Sequence, residues 1–189
     1  MPSKRHLLLA IWSCILLSGC VPSMLSRQST NDFNEQLYID ARLNFSIKHP
    51  LNWHRLQIPV SSPQYRADTV RWEIKDLEPE TRGSGIMLIR SRPADSMQQL
   101  PDLMDSYLST VPEMKTGNME QIELASGPAL KLLDLDERLG RLTIVTKGQA
   151  RDYIISFEYP SCRFEELLPI FNDTVKSLTE IVLPDPKQK

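Results

Sequence analysis

The side chains able to do chemistry are thinly spread along the chain. His49 and His54 flank Pro50 and Trp53, Asp134, Asp136 and Glu137 form one acidic group, and Cys162 follows Ser161. A two-histidine metal site needs convergent imidazoles and a carboxylate partner. His49 continues the inward alternation of Phe45 and Ile47 while His54 points to the opposite side, so each reads as a satisfied strand-end histidine. Asp134 and Asp136 share a strand face and could touch one divalent cation. The run from Asp134 to Gly140, however, lacks the ligand spacing of a calcium loop, which supplies about six or more oxygens, and reads as a solvated strand end. Cys162, in the first turn of a helix capped by Ser161, would be favoured as thiolate by the helix dipole. A catalytic cysteine also needs a base and an oxyanion site, and none accompanies it, so an unpaired and partly buried thiol is the preferred reading. No zinc motif, Gly-x-Ser-x-Gly, phosphate loop or dinucleotide fingerprint occurs. No catalytic residue, metal ligand or cofactor is therefore assigned. The one functional surface the residues suggest is aromatic: Trp53, Tyr65 and Trp72 could line a groove for a peptide or apolar partner, edged by the proline-rich loop from Ile58 to Tyr65.

A different chemistry is written at the start of the chain. Lys4-Arg5-His6 precede a mostly apolar run from Leu7 to Leu17, then Ser18-Gly19-Cys20, the order of an export signal. That run is well short of the roughly 20 residues needed to span a bilayer. Leu17-Ser18-Gly19-Cys20 resembles the bacterial lipobox, which implies cleavage after Gly19 and diacylglycerol on the Cys20 thiol. Residues 1–19 are then the signal peptide, and residues 20–36, rich in Ser, Asn and Gln, the lipidated terminus and a flexible tether. Val21 stands where an aspartate commonly retains lipoproteins in the inner membrane, so the outer membrane, facing the periplasm, is the expected site in a two-membrane bacterium.

The elements that must position these residues follow from composition and periodicity. The 189 residues are 41% hydrophobic and 24% charged, enough for one domain with its own core and not a disordered chain. The net charge of -2, which signal removal makes more acidic by taking Lys4 and Arg5, excludes the basic field of a nucleic-acid binder. With Cys14 lost and Cys20 lipidated, Cys162 would have no intrachain partner. The alternations Leu43-Phe45-Ile47, Val70-Trp72-Ile74 and Tyr153-Ile155-Phe157-Tyr159 predict half-buried strands. Ile86 to Ile89 predicts a central strand covered on both faces, and further strands are expected at Ile122–Leu124, Ala129–Leu135 and Leu142–Lys147, with turns at Gly127-Pro128, Gly140 and Gly148. Two stripes of helical period, Leu100 to Val111 and Phe164 to Leu178, predict amphipathic helices. Pro101 suits a first turn, and Pro169 should kink the second helix or mark its start. A single α+β domain over 37–183 results, mainly antiparallel sheet with two helices, followed by a short tail at 184–189.

Phe45-Ser-Ile-Lys-His-Pro50-Leu-Asn-Trp53 resembles the opening of the PsbP-like superfamily, which includes DcrB-like bacterial lipoproteins. Tyr153 to Phe157, Pro160, Phe164, Pro169-Ile-Phe171 and Val175 to Leu178 are similar to its last strand and C-terminal helix. Asn44 replaces the glycine usual before Phe45, and asparagine tolerates the positive φ that a turn there requires. The resemblance, over about Leu37 to Ile181, implies an antiparallel sheet sandwiched by helices and a binding or assembly-accessory role rather than catalysis. Together with the anchor, it leads us to expect a non-enzymatic, lipid-anchored envelope module with an envelope protein partner. A small-ligand carrier and an envelope hydrolase are the alternatives.

Overall fold

Strands with one apolar face pair until their edges are filled, and here they do so in two sheets. The computed structural model describes residues 34–57, 68–75, 84–111 and 118–181. The smaller sheet holds β1 (Glu35–Asp40), β2 (Phe45–Pro50) and β10 (Thr179–Glu180), in the order β1-β2-β10. The larger holds β3 (Trp53–Leu56), β4 (Thr69–Lys75), β5 (Ser84–Pro93), β6 (Asn118–Leu124), β7 (Gly127–Leu135), β8 (Leu139–Lys147) and β9 (Arg151–Pro160), in the order β3-β4-β5-β9-β8-β7-β6. Every pairing is antiparallel. Helix α1 (Leu100–Leu108) follows β5, and α2 (Ser161–Lys176) joins β9 to β10.

Register decides which helix covers which face, because cross-strand partners point the same way. Trp72, Met87, Phe157 and Leu142 lie opposite one another, as do Val70, Ile89, Ile155 and Ile144. These side chains are buried with Phe164, Phe171 and Val175 of α2 and with Phe45 and Ile47 of the smaller sheet, forming the main core. One residue on, the side chains face the other way. There Leu132 and Val145 meet Leu103 and Met104 of α1 in a second, smaller cluster. The larger sheet is thus sandwiched between the helices, as the resemblance implied.

Several local expectations change. β1 opens at Glu35, inside the stretch expected as tether. Gly140 does not turn the chain but lies within β8, where an added Cβ would fall 2.1 Å from the Phe164 ring; the glycine lets α2 approach the sheet. Ile86 and Leu88 are only half-buried, because α1 covers β7 to β9 rather than the middle of β5. Ser161 is the first residue of α2 rather than its cap; its hydroxyl donates to the Glu137 carbonyl at 2.8 Å. α2 runs through Pro169, which is exposed together with Glu165, so the carbonyl deprived of its amide donor faces water. α1 begins with a reciprocal cap, the Gln99 amide donating to the Asp102 carboxylate at 3.1 Å, and Pro101 sits in its first turn.

The two sheets are tied by polar contacts as well as packing. Asn44 has φ 57°, the conformation for which asparagine substitutes for glycine. Its carbonyl accepts from the Tyr153 hydroxyl at 2.8 Å and from the Ile181 amide at 2.8 Å. The Glu180 carboxylate accepts the amides of Ala150 and Arg151 at 2.9 and 3.0 Å, closing the β8–β9 hairpin against β10.

Candidate functional site

The aromatic residues named as a partner surface are not on the surface. Trp53 is 4% exposed and Trp72 fully buried, and Tyr65 lies outside the described residues. Both indoles fall on the inward side of their strands. Trp53 packs on Phe157 and Phe171 with ring centroids 6.0 and 5.7 Å apart, and Trp72 meets the Tyr38 ring edge-on at 5.1 Å. A period-two tryptophan satisfies a core as well as a groove, and α2 together with the smaller sheet occupies the space a ligand would need.

His49 belongs to the same cluster. It is buried, nearly parallel to Trp53, and its Nδ1 lies 2.9 Å from the Pro50 carbonyl oxygen. Its Nε2 is 3.3 Å from the Gln36 side-chain amide. Removal from water holds its pKa below the usual histidine value. His54 is exposed on β3, in register with Glu73. The two histidines therefore serve different surroundings.

Nor do the acidic residues form a cage. Asp134 lies opposite Arg141 in the β7–β8 ladder, whereas Asp136 is in the turn beyond β7 and accepts the amides of Arg138 and Leu139 at 2.7 and 2.8 Å. The shared strand face expected for the two aspartates is lost because the chain leaves the strand after Leu135. Among the described residues no three His, Cys, Asp or Glu side chains gather as a metal site. Cys162 is exposed rather than buried, being two positions and so about 200° round the helix from the inward Phe164. In the full 189-residue chain it is also held in a disulfide, against the unpaired thiol expected.

What the fold does present is a cleft of about 230 Å³ between α2 and the β6–β8 end of the larger sheet. Its floor is apolar, from Ile122, Leu124, Ile144 and Val175, and its rim polar, from Glu123, Lys131, Asn172 and Lys176. Lys131 is paired with Glu120 at 3.0 Å and Lys176 with Asp173 at 3.4 Å. Along β7, Leu133 and Leu135 alternate with the same phase as Lys131 and are exposed, extending the apolar surface beyond the cleft. Nothing local in the sequence marks this site, since it arises from the β6–β7 register and the placement of α2. Its only trace is a run of leucines in β7 too long for a strand with one covered face.

No protein-family model and no curated protein matches the chain. Solved structures do. Over 83% of this chain and 98% of its own length, the cyanobacterial PsbP of Synechocystis sp. PCC 6803 superposes with a TM-score of 0.53 at 17% identity. The fold is PsbP-like. A Bacteroides thetaiotaomicron protein superposes with a TM-score of 0.51 at 10% identity, over 77% of this chain and 48% of its own. LpqN of Mycobacterium tuberculosis, described as involved in cell envelope biogenesis, shows a TM-score of 0.48 at 11% identity, over 80% of this chain and 93% of its own. His49, Trp53 and Trp72 lie together because the chain crosses from β2, which ends at Pro50, to β3, which begins at Trp53, and so carries the core from one sheet to the other beside α2.

Proposed function

We propose that this protein is a lipid-anchored, non-enzymatic binding or assembly-accessory module of the bacterial envelope. It is held through Cys20, on the outer membrane of a two-membrane organism, and it engages a protein partner. The observation that carries the binding role is the cleft between α2 and β6–β8, with Leu133 and Leu135 left open beside it. An apolar floor with a polar rim suits a protein segment, which buries one or two side chains while its backbone meets the charged edge. At about 230 Å³ the cleft is smaller than the roughly 300–1,000 Å³ of small-molecule pockets, which favours a protein segment over a small ligand at this cleft. His49, Asp134 and Asp136 point into separate surroundings, which disfavours the hydrolase. Tethering supports the reading further, because a partner in the same membrane meets a raised effective concentration.

The test is site-specific photocrosslinking in the native envelope from position 135, with Leu133→Asp in the same chain as the comparison. A reproducible adduct with one partner, lost on Leu133→Asp while the melting temperature holds, is the expected result. Adducts that are absent, or unchanged by the substitution, would contradict the assignment of this surface.

A further inference from the structure

The outer face of the smaller sheet departs from the usual polarity of a one-sided sheet. Antiparallel sheets with one packed face place polar side chains on the other. In β1 the inward positions are Tyr38 and Asp40, the tyrosine hydroxyl donating to the carboxylate at 3.0 Å, while Leu37 and Ile39 point outward and are 59% and 58% exposed. A sequence reading from alternation alone would bury both aliphatic residues. Instead they stand two positions apart on one face, opposite Lys48 and Ser46 of β2. At the start of β1 the Leu51 amide bonds the Asn34 carbonyl at 3.0 Å. Glu35 lies at that end of the strand, opposite Pro50.

We infer that this face rests on the lipid surface, Leu37 and Ile39 entering the headgroup–acyl boundary and Lys48 reaching the phosphates. The inference depends on the lipid anchor proposed above. The length of chain preceding β1 selects the occupant: ~14 residues separate Cys20 from Asn34. A coil of that length has a root-mean-square span of about 20 Å, and a full extension of about 50 Å. β1 is thus the part of the folded domain nearest in chain to the bilayer, and the exposed aliphatic pair opens it. Two aliphatic side chains hold a free protein on lipid only weakly, but an anchored one is already at high local concentration, so a weak contact suffices to orient the domain. Lysine suits the position because its aliphatic stem lies along the apolar residues while the ammonium reaches anionic headgroups.

The test uses the full processed chain in vesicles of phosphatidylethanolamine and phosphatidylglycerol, doped with a phospholipid carrying a diazirine on the acyl carbons nearest the glycerol. Peptides are mapped after illumination, and the acyl mass at Cys20 is read from the same sample. Label on the peptide holding Leu37 and Ile39, with none on those holding Met119 or Leu133, is the expected pattern. Leu37→Asp/Ile39→Asp should cut this labelling at least fivefold and leave the acyl mass in place. An acylated chain with no label on β1, or labelling spread evenly over the domain, overturns the membrane-facing surface while leaving the anchor standing. A chain without acyl mass overturns the anchor, and the inference with it. Persistence of the labelling in the double variant also overturns it.

Discussion

The two faces of the seven-stranded sheet are built to different rules. Facing α2, the rows are apolar and aromatic from β4 through β8, and they share one core with the smaller sheet. Facing α1, Leu132, Val145 and the half-buried Ile154 make an apolar island, while the neighbouring positions are Arg71, Glu73, Glu158, Arg141 and Asp134. Arg141, only 9% exposed, places Nε 2.9 Å from a Glu158 carboxylate oxygen across the β8–β9 ladder. A short helix of nine residues covers an island, and a helix of sixteen plus a second sheet covers a face. Fold identity thus lies with the α2 side, and the α1 side is sealed only where α1 reaches.

The sharpest way to break this comparison is to cut into each side equally. Phe171→Ala removes a ring stacked on Phe157 with centroids 4.5 Å apart and touching Trp53 and Phe164, so it should cost about 3–5 kcal/mol and often prevent folding. Met104→Ala in the α1 cluster should cost about 2–3 kcal/mol, toward the lower part of the range for such truncations, because fewer neighbours surround the cavity. Urea midpoints of the two variants measure the difference, and equal losses would show that the faces are one cooperative core. A smaller effect is expected at Gly140→Ala, whose new methyl meets Phe164 at 2.1 Å. Displacing that ring should cost about 1–3 kcal/mol, and thermal melting that leaves the protein unchanged would mean α2 sits farther from β8 than described.

The smallest effect concerns His49. Its folded pKa lies below the unfolded value because burial penalises the charged ring, so the unfolded chain binds the proton more readily. Stability from this residue is therefore complete above the unfolded pKa of about 6.5 and declines as pH falls below it toward the lowered folded value. His49→Phe, which keeps a ring beside Trp53, should flatten this acid-side slope in a series of melts from pH 7.5 to about 5 while changing little at the alkaline end. An unchanged slope would assign the acid sensitivity to carboxylates instead. Tyr38 supplies the alkaline counterpart. Burial, then Asp40, push its phenol up to about 12, so its contribution persists below pH 10 and is lost as pH rises from 10 through that value.

Much of the fold was legible because alternation and helical period are direct consequences of one buried face. Phe45-Ile47, Val70-Ile74 and Tyr153-Tyr159 emerge as strands, and Leu103-Met104-Tyr107 and Phe164-Phe171-Val175 as buried helix stripes. What the pattern leaves open is which side an ambiguous residue takes. Leu37 and Ile39 carry the inward pattern and lie outward, because the Tyr38–Asp40 pair turns the other face of β1 toward Phe45 and Trp72. Trp53 and Trp72 fit groove and core equally in one dimension, and only the crossing of β2–β3 beneath α2 decides. Gly140 illustrates the same limit, since a glycine that permits close packing and one that turns the chain look alike in sequence. The cleft at β6–β8 depends on contacts between residues as distant in sequence as Ile122 and Lys176 and leaves no local mark beyond the leucines of β7.

The proposed anchor at Cys20 would place the domain at the membrane and give both exposed surfaces their meaning. The direct measurement is intact mass and peptide mapping of the chain isolated from bacterial membranes in detergent, beside a Cys20→Ser variant. We predict a mature chain beginning at Cys20 with diacylglycerol on its sulfur, partitioning into detergent, and a Cys20→Ser chain that carries no acyl mass. A wild-type chain without acyl mass, or one whose Cys20 sulfur is linked to another cysteine, would contradict it.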